Sequence, residues 1–162
     1  MATSSARPSL GGGVALLGRV LVVDDEPELR RVLRRSLSRG GYEVMEAANG
    51  SAALQLTRQE RFDVVICDVR MPVMNGLELL ARLVEEEPHL PVVLISGSTE
   101  CNRPSAIDRG AFEFLAKPIS LTHLQAVTSS AMAEGAELQR LERESHERLL
   151  SAAALDWDGT GH

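Results

Sequence analysis

Three stretches of this chain are apolar without a break: Val20–Val23, Val64–Cys67 and Val92–Ile95. A strand with one face in water alternates apolar and polar residues, whereas a strand covered on both faces is apolar throughout. Each run is short, rich in β-branched residues and separated from the next by segments of helical period. After the first comes PELRRVLRRSLSRGG, with Leu29, Val32, Leu33 and Leu37 at helical spacing and arginines on the other face. Pro27 suits a first helical turn, and Gly40-Gly41 suits a stop. YEVMEA reads as a second strand, NGSAALQLTRQE as a second helix and FDVVICDV as the third strand. LELLARLVEEE is a helix ended by Pro88, LPVVLISGS a strand and SAIDRGA a short helix closed by Gly110. FEFLAKP is the fifth strand, and one long helix starts near Ser120. The alternation predicts an α/β fold: a doubly wound parallel sheet with helices on both faces and an extended C-terminal helix.

In such sheets a ligand sits beyond the carboxyl ends of the strands. The residues there are Asp24-Asp25, Asp68, Ser96-Gly97-Ser98 and Lys117-Pro118. The polar residues that interrupt the apolar runs therefore fall on one sheet edge. Adjacent carboxylates repel, and at an effective dielectric of roughly 20 a pair ~5 Å apart costs ~3 kcal/mol. A hard divalent cation among them, with the lysine beside it, offsets that cost. Oxygen ligands point to Mg²⁺, with Mn²⁺ as a substitute. An aspartate so placed can attack phosphorus while the lysine neutralises a phosphoryl oxygen and the Ser96 hydroxyl binds another. The chain lacks a Walker A sequence, so a bound nucleotide is not indicated.

Composition narrows the partners. A chain of 162 residues, 44% hydrophobic, suits one ordinary domain with some chain left over. A net charge of −6 without a basic block argues against direct nucleic-acid binding. No apolar run reaches membrane-spanning length. Cys67 and Cys101 are far apart and belong to no CxxC pair, which suits a reduced, cytoplasmic protein. Residues 1–18 carry too weak an apolar patch for a signal peptide and read as a flexible tail.

Residues 19–133 resemble a response-regulator receiver domain of two-component signal transduction. The elements that carry the resemblance are Asp24-Asp25, Asp68 followed by Met71-Pro72, the Asn75-Gly76 turn, Ser96-Gly97 and Lys117-Pro118. The resemblance implies a strand order of 2-1-3-4-5. It implies that Asp68 takes a phosphoryl group from a phosphohistidine on a sensor histidine kinase or phosphotransfer protein. Asp25, Asp68 and the backbone carbonyl of Arg70 would hold Mg²⁺, with Asp24 acting largely through water. Lys117 would pair with the acyl phosphate, and Ser96 would swing in to bind it. Phe114 stands where the family often has a coupled aromatic switch; it lacks a hydroxyl and reads more readily as a core residue than as a switch. The output face would be helix 4, strand 5 and helix 5. Such a domain is not a metabolic enzyme and catalyses only its own phosphorylation and dephosphorylation. The alternatives are an aspartyl-phosphate phosphohydrolase, against which Arg70 counts because that position calls for a second acid, and an inactive receiver-like interaction module.

Two departures matter. The stretch from Ser96 to Lys117 is about one residue short for the family and contains Pro104, which predicts a short, shifted or partly unwound fourth helix. Arg70 lies two residues past Asp68, where its side chain can reach the mouth of the site; Arg70→Ala is expected to change the dephosphorylation rate. Arg30, Arg31, Arg34 and Arg35 read as a solvated helix face. Residues 134–162 read as a helical extension and tail, and as a linker if an output domain follows. A seven-residue frame through Leu124, Val127, Ala131, Leu138 and Leu141, made imperfect by Glu134, Ser145 and Arg148 on the same seam, fits either a homodimerising or signalling helix or a linker that is merely helical.

Overall fold

The computed structural model describes residues 15–99 and 101–160. Its elements alternate without exception: β1 (Gly18–Val23), α1 (Pro27–Arg39), β2 (Tyr42–Ala47), α2 (Gly50–Gln59), β3 (Val64–Asp68), α3 (Gly76–Glu86), β4 (Val92–Ser96), α4 (Arg103–Asp108), β5 (Glu113–Ala116) and α5 (Leu121–Thr160). The five strands form one parallel sheet in the order β2-β1-β3-β4-β5, as expected. The order reverses at β1, between β2 and β3, which opens a crevice at the carboxyl ends of β1 and β3.

The apolar runs are continuous because each supplies both faces. In β1, Leu21 and Val23 join the core under α2 and α3, while Val20 and Val22 join the core under α1 and α5. β3 divides the same way, with Val65 and Cys67 on one side and Val64 and Ile66 on the other. Leu33 and Leu37 bring the apolar stripe of α1 onto the second core, each at most 1% exposed. Burial of that extent stabilises by about 1.5–3 kcal/mol per side chain.

Local chemistry fixes the helix starts. The Asn49 side chain accepts the Ala52 N–H at 2.8 Å and caps α2. Asn75 and Glu78 form a reciprocal capping box at α3, with bonds of 2.9 and 3.0 Å. The fourth helix is short, as Pro104 predicts: six residues, with the proline in the first turn and Asn102 as its cap. β1 begins at Gly18, and the Leu17 N–H donates to the Gly41 carbonyl at 2.8 Å, so the end of the stretch read as a tail is already structured. Residues 1–14 of that expected tail lie outside the described residues.

Candidate functional site

The strand ends converge. Asp24 follows β1, and Asp68 ends β3. Both are buried, at 1% and 5% exposure, while Asp25 is exposed. One carboxylate oxygen from each of Asp24, Asp25 and Asp68 lies within 4.8 Å of the others. The Lys117 ammonium, from the end of β5, donates to Asp68 Oδ2 at 3.1 Å and to Glu26 Oε1 at 3.4 Å.

Gly76 lets α3 start close against this edge. A Cβ there would come within 2.3 Å of the Asp68 carbonyl oxygen, so the helix could not approach with any side chain at that position. The Gly76 N–H donates to the Val69 carbonyl at 2.8 Å and ties the loop after β3 to the helix.

Electrostatics mark Asp24. Its Oδ1 accepts the Glu26 N–H at 2.8 Å, but its Oδ2 is buried with no hydrogen-bond partner. Burial raises the Asp24 pKa to about 6, and the Asp68 charge adds to the rise; the Glu26 N–H and Lys117 act the other way. Burial works against the Lys117 charge, but the hydrogen bond to Asp68 and the surrounding acids outweigh it and raise its pKa above the ordinary lysine value. An all-oxygen donor set with an unsatisfied buried carboxylate oxygen fits a hard divalent cation, which would relieve both the repulsion and the orphaned atom.

The remaining expected residues take up related positions. Ser96 ends β4 and is buried; its hydroxyl accepts the Ser98 N–H at 3.0 Å, within its own turn. Arg70 is exposed, and its N–H reaches Asp68 Oδ1 at 3.4 Å. Asp25, Arg70, Met71 and Asn75 line an open hollow beside the acids. Phe114 is half-buried against the core under α2 and α3.

Two participants escaped the sequence reading. Glu26 shares Lys117 with Asp68. Arg30, read as part of a solvated face, instead donates to the Asp24 carbonyl at 2.6 Å and to Glu46 at 2.9 Å, while Arg34 holds the other Glu46 oxygen at 2.9 Å. The available signal was an acid at Glu46, on the strand beside β1, facing arginines on the first helix.

A doubly wound parallel sheet with an acid cluster and a lysine at its switch point defines a narrow class of α/β domains. The sequence matches the family described as "Response regulator receiver domain" over residues 20–129, and the chain belongs to that family. It is 40% identical over 123 residues to the DNA-binding transcriptional regulator NtrC of Bradyrhizobium sp. (strain RP501 Parasponia). That match takes in 74% of this chain but only 25% of the regulator. Among solved structures, a response regulator receiver domain protein from Clostridium thermocellum is 30% identical, with a TM-score of 0.72, and is matched over 75% of this chain and 99% of its own. The response regulator TrrA of Thermotoga maritima, solved in complex with Mg(2+)-BeF, is 30% identical, with a TM-score of 0.66 over 71% of this chain and 99% of its own.

Proposed function

We propose that residues 19–133 act as a phosphorylation-operated switch with Asp68 as the phosphoacceptor, and that α5 beyond them is an extension. The observation that carries this is the Lys117–Asp68 contact beside Asp24 and Asp25. Membership of the receiver family and the likeness to a regulator solved with Mg(2+)-BeF support it.

In the proposed reaction an Asp68 oxygen attacks the phosphorus of a phosphohistidine, from a sensor histidine kinase or a phosphotransfer protein. The new O–P bond forms as the N–P bond breaks, and its electron pair leaves on the imidazole. Lys117, already on Asp68 Oδ2, is positioned to neutralise charge on the transferred group. Mg²⁺ held by Asp25, Asp68 and the Arg70 carbonyl would supply further neutralisation of the phosphoryl oxygens, with Asp24 acting through water. The switch would have the Ser96 hydroxyl swing in to the phosphoryl group, donating the proton that its bond from the Ser98 N–H leaves free. Its readout would be the face of α4, β5 and α5, with Phe114 beside it. The buried free thiols Cys67 and Cys101 suit a cytoplasmic setting, and no described helix is long and apolar enough to cross a membrane.

The test is labelling by a small phosphodonor, read as intact mass. The wild type is expected to gain one phosphoryl group when Mg²⁺ is present and none in EDTA, and Asp68→Asn to gain none. Equal labelling of Asp68→Asn, or labelling indifferent to metal, overturns the reading.

A further inference from the structure

The turn that carries the paired acids is held from outside, by the strand beside it. Arg30 and Arg34 are four residues apart on α1 and share a helix face. Glu46 stands on β2 in register with Val22 of β1, two residues past Val44, so it points to the α1 side of the sheet. Its Oε1 accepts the Arg30 Nε–H at 2.9 Å, and its Oε2 accepts from Arg34 Nη1 at 2.9 Å. Arg30 and Glu46 are half-buried, whereas Arg34 is exposed. With its Nε on Glu46, the Arg30 guanidinium donates from Nη1 to the Asp24 carbonyl at 2.6 Å. β2 therefore grips Asp24 twice. The Ala47 carbonyl accepts the Asp24 N–H at 3.1 Å, and Glu46 holds the Asp24 carbonyl through Arg30.

That carbonyl belongs to the planar peptide joining Asp24 to Asp25. Asp25 is exposed, with little packing to aim its carboxylate, so the aim comes from the backbone that carries it. We propose that Arg30 is a positioning residue: braced by Glu46, it fixes the Asp24–Asp25 peptide and so presets the two carboxylates for a divalent cation. This role rests on the reading of the acid cluster as a cation site. Charge and position make opposite demands here. A guanidinium close to the acids repels a cation, so if Arg30 acted by its charge, removing it would tighten binding. If it acts by position, removing it loosens binding, because an outer partner that orients a ligand is lost.

Mn²⁺ binding to the full chain, read from the electron paramagnetic resonance of the free ion, tests it, with each variant shown to be folded by circular dichroism. The wild type is expected to hold one ion that Asp68→Ala does not. Arg30→Ala should bind that ion about tenfold more weakly, and Glu46→Ala should lose a smaller factor. The two changes in one chain should bind no more weakly than Arg30→Ala alone, because Glu46 acts through Arg30. Arg31→Ala removes an exposed charge from the same helix and should bind at least as tightly as the wild type. Unchanged or tighter binding by Arg30→Ala, equal loosening in Arg31→Ala, or losses that add in the double variant overturns the role of Arg30 and leaves the cation site standing. A wild type that holds no such ion overturns both.

Discussion

Asp24 holds an unsatisfied oxygen in a buried setting, and that costs stability whenever the residue is charged and no cation is near. Its pKa, raised from 3.8 to about 6, means the folded protein keeps a proton in that window which the unfolded chain has released. Stability of the metal-free protein is therefore lost on this account as pH rises through the window. Asp24→Asn cannot ionise and escapes the loss. In EDTA the Tm of Asp24→Asn is expected to exceed that of wild type by a margin that grows from about pH 4 to about pH 7, and Mg²⁺ should narrow the margin. A margin that ignores both pH and Mg²⁺ contradicts this account of Asp24. The amino-acid sequence alone places this residue, paired with Asp25, at the end of an apolar run on the edge where Asp68, Ser96 and Lys117 also fall. What escaped was side-chain direction. Whether Lys117 also reaches Glu26, or Ser96 turns toward Ser98, depends on the path of loops whose composition permits several arrangements.

At the scale of elements, the loop between β3 and α3 carries the clearest strain. Val73 has a φ of 70°, the Met74 N–H donates to the Pro72 carbonyl at 2.8 Å, and the side chain is 82% exposed. A β-branched residue in a left-handed γ-turn, with little packing in return, is held against its own preference. Val73→Gly is expected to raise stability by about 1 kcal/mol, read as an increased denaturant midpoint at unchanged slope. No gain would mean that the valine makes compensating contacts. Gly76 at the end of the same loop has the opposite constraint, since a Cβ would meet the Asp68 carbonyl oxygen. Gly76→Ala should cost about 1–3 kcal/mol and lower Mg²⁺-dependent labelling, because the strain falls on the backbone of the phosphoacceptor. Full stability and labelling in that variant would contradict the close approach. The short α4 was legible because Pro104 confines the helix start, whereas the turn at Val73 was not, because valine is a residue type that argues against it.

For the whole molecule, the two cores are complete before α5 leaves the sheet. Leu124, Val127 and Ala131 are buried, while Leu138 and the leucines beyond it are exposed. The contact of His89 with Glu142 is at the surface and worth less than about 1 kcal/mol. A chain ending after Glu137 is expected to keep phosphodonor labelling and a Tm within a few degrees of the full chain, measured by calorimetry. A large fall in either would make the extension part of the domain. Continuous apolar strands and helical spacing made the architecture readable from one sequence, because each element must bury a face and the parallel sheet buries two. The same reasoning set Asp24, Asp25 and Asp68 on one sheet edge, while the Arg70 carbonyl enters only through the family resemblance; the central claim is that they serve one cation beside Lys117. Anomalous diffraction from crystals soaked in Mn²⁺ tests that claim most directly. The account predicts one strong peak bonded to Asp25, Asp68 and the Arg70 carbonyl, lost in Asp68→Ala; a peak elsewhere, or none at this cluster, contradicts it.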